Sequence, residues 1–230
     1  MTPFEARPTT VWSRPRRGSR GPAPERSRQQ ITEAAVALAD ADGLAAVSMR
    51  ALAQRLGTGP ASLYRYVGSR DELLDLMADA VAGELDLSTP PSGDWLGDLV
   101  GLALQSKAAH VRRPWLADLN DRRGEVLGPH AIDYLDHALA VLAHAPGSSR
   151  RKLETIGLMG GLARLFAHRE AGADGGTPAQ AAHLAAVAAE GHHPHLLAAL
   201  TTAGPTPAGP ANGDALFERL LRRVLPAMLG

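Results

Sequence analysis

The stretch SMRALAQRLGTGPASLYRYVGSRDELL, residues 48–74, constrains this chain more than any other. A break at Gly57, Thr58 and Gly59 separates two short apolar patterns, and a third begins after Ser69. Ser48 suits the N-cap of a helix whose inward residues are Leu52, Ala53 and Leu56, and Gly57 stops it. Pro60 suits the first turn of a second helix, carrying Ala61 to Val67. Ser69 with Glu72 forms a capping box that opens a third, with Leu73, Leu74, Met77 and Val81 inward. Helices shorter than about 12–15 residues are marginal in water, so the first two must be held by their neighbours.

Those neighbours are legible on both sides. Ser27 to Gln30 reads as another capping box, and Ile31, Ala34, Ala35, Leu38 and Ala39 follow at helical spacing to a stop at Gly43. A supported pair of short helices joined by a tight glycine turn is the helix-turn-helix arrangement. Its second helix enters a DNA major groove and meets base edges with its N-terminal side chains.

The residues carrying this pattern, Ser48, Arg50, Leu52, Ala53, Leu56, Gly57, Ser62, Leu63, Tyr64, Tyr66, Val67, Ser69, Arg70, Glu72, Leu73 and Leu74, resemble the signature of the TetR (tetracycline repressor) family over roughly residues 28–85. Arg113 to Leu116, Gly128 with Pro129, and Gly191 followed by Pro194 are similar to its C-terminal domain. The resemblance implies an all-α homodimer that binds double-stranded operator DNA through residues 27–87 and a small-molecule effector through residues 94–230. It also implies DNA contacts from Ser48 and Arg50, from Pro60, Ala61, Ser62, Tyr64, Arg65 and Tyr66, and from Arg70 at a phosphate-contacting position. Arginine can take guanine O6 and N7 as a bidentate pair, which makes Arg50 and Arg65 the candidate base readers.

Residues 1–26 are rich in Pro, Arg, Gly and Ser and read as a flexible arm, with seven arginines up to Arg28 against Glu5 and Glu25. The arm either lies along phosphates or an adjacent minor groove, or is a solvated tail. Ser88 to Gly93 interrupts the helical pattern and marks the domain boundary. Beyond it the periodicity predicts helices over about 94–111, a short one from 115, then 129–144, 149–171, 179–190, 194–202 and from about 214, with flexible connections at 172–178 and 203–213.

The helix from Ser149 carries apolar or small residues on two faces, and the final helix offers a second stripe. Ile156, Gly160 and Ala163 with Phe217, Leu220, Leu221 and Val224 are the candidate four-helix dimer interface; the other reading buries both helices in their own subunit. For the effector, His130, Tyr134 and His137 share a stripe beside an apolar one, and His110, Trp115, Met159 and Phe166 are candidate walls. His192, His193 and His195 straddle Pro194 and read as a solvated loop better than as a metal site.

The chain has no cysteine, which excludes disulfides and thiolate chemistry and fits a reducing cytoplasm. No run approaches the roughly 18 apolar residues that cross a bilayer, so no membrane partner is expected. No phosphate loop, HExxH or GxSxG occurs, and no catalytic residue, metal or cofactor is assigned. The resulting expectation is a ligand-responsive transcriptional repressor released by its effector. A helical adaptor or an unrecognised helical enzyme is the alternative.

Overall fold

The computed structural model of the chain describes residues 11–12, 26–123, 126–171, 178–203 and 210–230. Among them every regular element is a helix: α1 Arg28–Asp42, a 3₁₀ turn Leu44–Ala46, α2 Met49–Arg55, α3 Pro60–Leu63, α4 Arg70–Ala82, α5 Trp95–Arg112, α6 Trp115–Arg123, α7 Pro129–Val141, α8 Ser149–Glu170, α9 Pro178–Ala189, α10 Pro194–Ala203 and α11 Pro210–Leu229.

Local chemistry sets the boundaries. The Ser27 hydroxyl accepts from the Gln30 amide while the Gln30 side chain accepts from the Ser27 amide, completing the capping box of α1. The Ser48 and Ser69 hydroxyls cap α2 and α4, accepting from Ala51 N and Glu72 N, while the Glu72 carboxylate expected to complete a capping box accepts from the Gly68 amide at 2.8 Å. Helix α2 ends in a Schellman motif, with Thr58 N donating to Ala53 O at 2.9 Å and Gly57 N to Gln54 O at 3.1 Å. Gly57 holds φ +65° there, a left-handed conformation that disfavours residues with a Cβ.

Two apolar cores follow. The first joins α1 to α4 with Trp115, Leu116 and Leu119 of α6, and the second joins α5, α7, α8 and α11. Helix α4 also packs on α7, so it belongs to both halves. Helices α9 and α10 pack on each other, and His192, His193 and His195 are exposed at their junction.

Three departures from the sequence reading have physical causes. Helix α3 stops at Leu63, short of Val67, and the chain turns through Tyr64 to Tyr66 so that Leu63 and Val67 both reach the core with no exposed surface. Val11 and Trp12 fall in the segment read as a flexible arm, yet Val11 is buried and Trp12 packs against the first core. The Arg28 guanidinium donates to the Val11 carbonyl at 3.1 Å. The remainder of residues 1–25, together with 172–177 and 204–209 of the expected flexible connections, lies outside the described residues. Helix α11 begins at Pro210, earlier than expected, because proline is well suited to a first helical turn.

Candidate DNA-binding head and ligand cavity

In the head, short helices are fixed from below and offered from above. Leu52, Leu63 and Val67 have no exposed surface, while Arg50, Pro60, Ala61, Tyr64 and Arg65 are exposed and Ser48, Ser62 and Tyr66 half-buried. Tyr64 is 51% exposed, which leaves its ring and hydroxyl accessible at this surface. The structure therefore leaves the predicted residues of α2 and α3 at least partly accessible, with their apolar neighbours buried beneath them.

Arginines that sequence reasoning did not assign hold this surface in place. The Arg26 guanidinium donates to the Leu56 carbonyl at the end of α2, and Arg28 Nε donates to the Tyr66 carbonyl at 3.3 Å. Arg70 does similar work: its Nε donates to Val47 O at 2.8 Å and its Nη2 to Leu44 O at 3.3 Å. The side chain expected at a phosphate is thus turned into the protein and ties the start of α4 to the approach to α2. Capping of carbonyls by arginine leaves no periodic trace in sequence, which is why spacing alone did not show it.

The joint between α4 and α7 is polar. Asp79, on the side of α4 turned away from Met77 and Val81, is only 5% exposed. Its Oδ1 accepts from the Ala131 amide at 3.0 Å and its Oδ2 lies 3.0 Å from His130 Nδ1, so one carboxylate caps the first turn of α7. A Cβ at Gly128 would stand 2.3 Å from the Asp79 carboxyl and 2.6 Å from the Trp12 ring, which explains the glycine.

Below this joint lies a cavity of about 360 Å³. Its walls are Ala78, Val81, Ala82 and Leu85 from α4 and its end, Ser106, Ala109 and His110 from α5, Leu116 and Asn120 from α6, and Val126 and Leu127 from the next segment. Ala131, Tyr134 and Leu135 from α7 and Leu153, Ile156, Gly157 and Arg164 from α8 close it. A pocket of this size with a mostly apolar lining and few polar groups has the form of a small-molecule site.

The polar groups are well defined. His110 Nδ1 lies 2.9 Å from the Ser106 carbonyl, so the ring N–H is placed there and Nε2 faces the Asn120 amide at 3.4 Å. Burial pushes the His110 pKa below its ordinary value and the nearby Arg164 charge pushes the same way, which keeps the ring neutral. Burial raises the pKa of the Tyr134 phenol, so it stays protonated.

Of the predicted effector residues, His110 and Tyr134 line this cavity and the others do not. Trp115 is buried in the first core and its Nε1 donates to Asp40 at 2.7 Å; with Arg113, which pairs with Asp40 and Glu84, it ties α6 to the head. His130 is spent on Asp79, and its ring lies so close over Gly83 that a Cβ there would come within 2.8 Å. His137 is half-buried on α7 away from the cavity lining. Met159 and Phe166 are core residues, Phe166 packing on Phe217 with ring centroids 5.0 Å apart. Asn120, Leu127, Leu153, Gly157 and Arg164 were missed because they converge from α6, α8 and the segment before α7.

Part of the expected dimer stripe faces inward. Ile156, Ala163, Phe217 and Leu221 are buried in their own subunit, Ile156 also forming part of the cavity wall. Gly160 and Val224 are half-buried and Leu220 remains exposed, and the outward residues of the two helices include Leu158, Leu165, Leu216 and Leu220. Helix α8 carries apolar residues on two faces, and the sequence does not say which one the subunit keeps.

A helix-turn-helix head carried on a cavity-bearing helical body defines the class of helical regulators. Residues 31–77 match the family described as "Bacterial regulatory proteins, tetR family", and residues 87–229 match "Tetracyclin repressor-like, C-terminal domain". The chain belongs to the TetR family. It is 43% identical over 136 residues to the HTH-type transcriptional repressor DrrR1 of Streptomyces coeruleorubidus, a match spanning 57% of this chain and about half (49%) of that protein. It is 33% identical over 221 residues to an HTH-type transcriptional regulator of Saccharopolyspora erythraea, covering 94% of this chain and 89% of that one. Among solved structures, apo ActR from Streptomyces coelicolor is similar with a TM-score of 0.75 at 28% identity, covering 91% of this chain and all of that chain. ActR in complex with actinorhodin is similar with a TM-score of 0.74 at 27% identity, over 91% of this chain and 100% of that one. Among the described residues no helix is long and apolar enough to cross a membrane.

Proposed function

We propose that this chain is a ligand-responsive transcriptional repressor, working in the cytoplasm as a homodimer on an inverted-repeat operator and released when a small molecule fills the cavity. The observation that carries the reading is the position of α4. Its Leu73, Leu74 and Met77 belong to the core under the DNA-binding surface, while Ala78, Val81 and Ala82 form the cavity wall. A ligand that favours one placement of α4 over another shifts the population of head orientations, and a coupling of about 1–3 kcal/mol makes a useful switch.

In this reading Arg50 and Arg65 read bases, Ser48, Pro60, Ala61, Ser62, Tyr64 and Tyr66 set the surface on the duplex, and Arg70 acts through the shape of the head. Leu158 and Leu165 of α8 with Leu216 and Leu220 of α11 supply the apolar centre of an isologous four-helix interface. The interface fixes the separation of two heads, and half-sites about 34–36 Å apart are engaged together. No step of this function calls for catalysis or a cofactor. The arginines Arg14, Arg16, Arg17 and Arg20, following Trp12, add phosphate contacts.

Selection of bound fragments from a random DNA pool with the purified full chain tests the reading. The expected product is one motif with two-fold symmetry, lost in Arg65→Ala. Recovery of unrelated fragments at background level would defeat it.

A further inference from the structure

The cavity holds one polar atom whose bonding is incomplete. The Tyr134 hydroxyl oxygen is shut off from solvent and has no hydrogen-bond partner among the described residues. A buried O–H without an acceptor costs about 1–3 kcal/mol, so native structures retain such groups only where something else completes them. The other polar groups do not: His110 Nδ1 is directed to Ser106, and its Nε2 to Asn120, on the α5 and α6 side. Tyr134 stands on α7, next to the turn that Asp79 caps. Its phenol is neutral, as burial dictates, and a neutral phenol is a hydrogen-bond donor.

We infer that the cavity takes a largely apolar molecule bearing a carbonyl-type oxygen, which accepts the hydrogen bond that the Tyr134 hydroxyl otherwise leaves unmade. The inference rests on the cavity being the effector site and adds the chemistry that site selects. Acceptance by a ligand ties it to α7 beside the Asp79 joint, so the same bond that selects the ligand loads the helix that contacts α4. An ordered water on Tyr134 is the competing occupant, and it confers no preference between a ketone and its hydrocarbon.

Gly157 provides the control. A Cβ at this exposed, cavity-lining position meets nothing within 4 Å, so Gly157→Leu finds open space at the cavity wall while removing a helix-weakening glycine. The probes are 9-fluorenone and fluorene, similar in shape and differing at the carbonyl. Calorimetric titration of the full chain is expected to give fluorenone about tenfold tighter binding than fluorene, which corresponds to about 1.4 kcal/mol. In Tyr134→Phe that preference falls to about one, with fluorene affinity held or improved; in Gly157→Leu both probes lose binding while the melting transition is kept. Equal binding of the two probes to wild type, or a preference that survives in Tyr134→Phe, overturns the inference and leaves the cavity reading standing. Undiminished binding of both probes to Gly157→Leu overturns the cavity reading itself, and failure of wild type to bind either probe overturns the inference.

Discussion

The head and the body spend their polar groups in opposite ways. In the head, Arg26, Arg28 and Arg70 donate to backbone carbonyls at helix ends and loops, and the interior beneath them is almost wholly aliphatic. In the body, Lys107 is 2% exposed and pairs with Glu170 and Asp214, Asp79 pairs with His130, and a cavity remains open between helices. A carbonyl held by arginine fixes one backbone shape. Side-chain pairs bridging separate helices can be rearranged, and that, together with an empty volume between helices, is what a ligand-operated joint requires.

The largest effect that tests this contrast is at Lys107. Burial alone would lower its pKa, but Asp214 and Glu170 outweigh it and hold the ammonium charged. Lys107→Ala leaves the mostly buried Glu170 without its cation, and urea unfolding should show a loss of about 3–5 kcal/mol. A loss below 1 kcal/mol would mean that the body's charge pairs are ornamental.

Matched leucine truncations sharpen the comparison. Leu63 has no exposed surface, so Leu63→Ala should cost about 2–5 kcal/mol. Leu153 is 46% exposed at the cavity wall, and Leu153→Ala should fall within about 0.5 kcal/mol of wild type. Similar losses at both positions would erase the distinction between a packed head and an open body. Next comes Gly128→Ala, whose methyl has no space between Asp79 and Trp12. Overpacking of this kind costs about 1–3 kcal/mol. Because it strikes the α4–α7 joint, the variant should also change operator affinity in the absence of effector by more than Leu153→Ala does.

How much of this was readable beforehand divides along the same line. Ser27, Ser48 and Ser69 at their caps, Gly57 at its turn and Leu52, Leu63 and Val67 in the core follow from local rules, because each acts within a few residues of its own position. The cavity was legible at His110 and Tyr134 and in the Ala131 and Leu135 stripe beside them. Its other walls arrive from five helices and a loop, and a concave space is a property of their packing that no single periodicity encodes. Helix α8 shows the limit well: Ile156 and Ala163 were assigned to a partner subunit, but their own subunit buries them and leaves Leu158 and Leu165 outside. Two apolar faces on one helix are equivalent until the neighbours are placed.

The smallest expected effect concerns Arg70, where the two regions meet. If its guanidinium serves the head by holding the Val47 and Leu44 carbonyls, as the 2.8 Å and 3.3 Å bonds indicate, then Arg70→Gln loosens the approach to α2 without removing a phosphate contact. Operator affinity should fall by a few-fold, while the slope of log affinity against log salt stays where it was, since each phosphate contact contributes about 0.9 to that slope on duplex DNA. Replacing Arg14, Arg16, Arg17 and Arg20 together by alanine keeps Val11 and Trp12 seated and should do the reverse, flattening the slope with no change in stability. A slope that drops by about one unit in Arg70→Gln would return that residue to the phosphate backbone. It would also mean that the head does not reserve its anchoring arginines for itself.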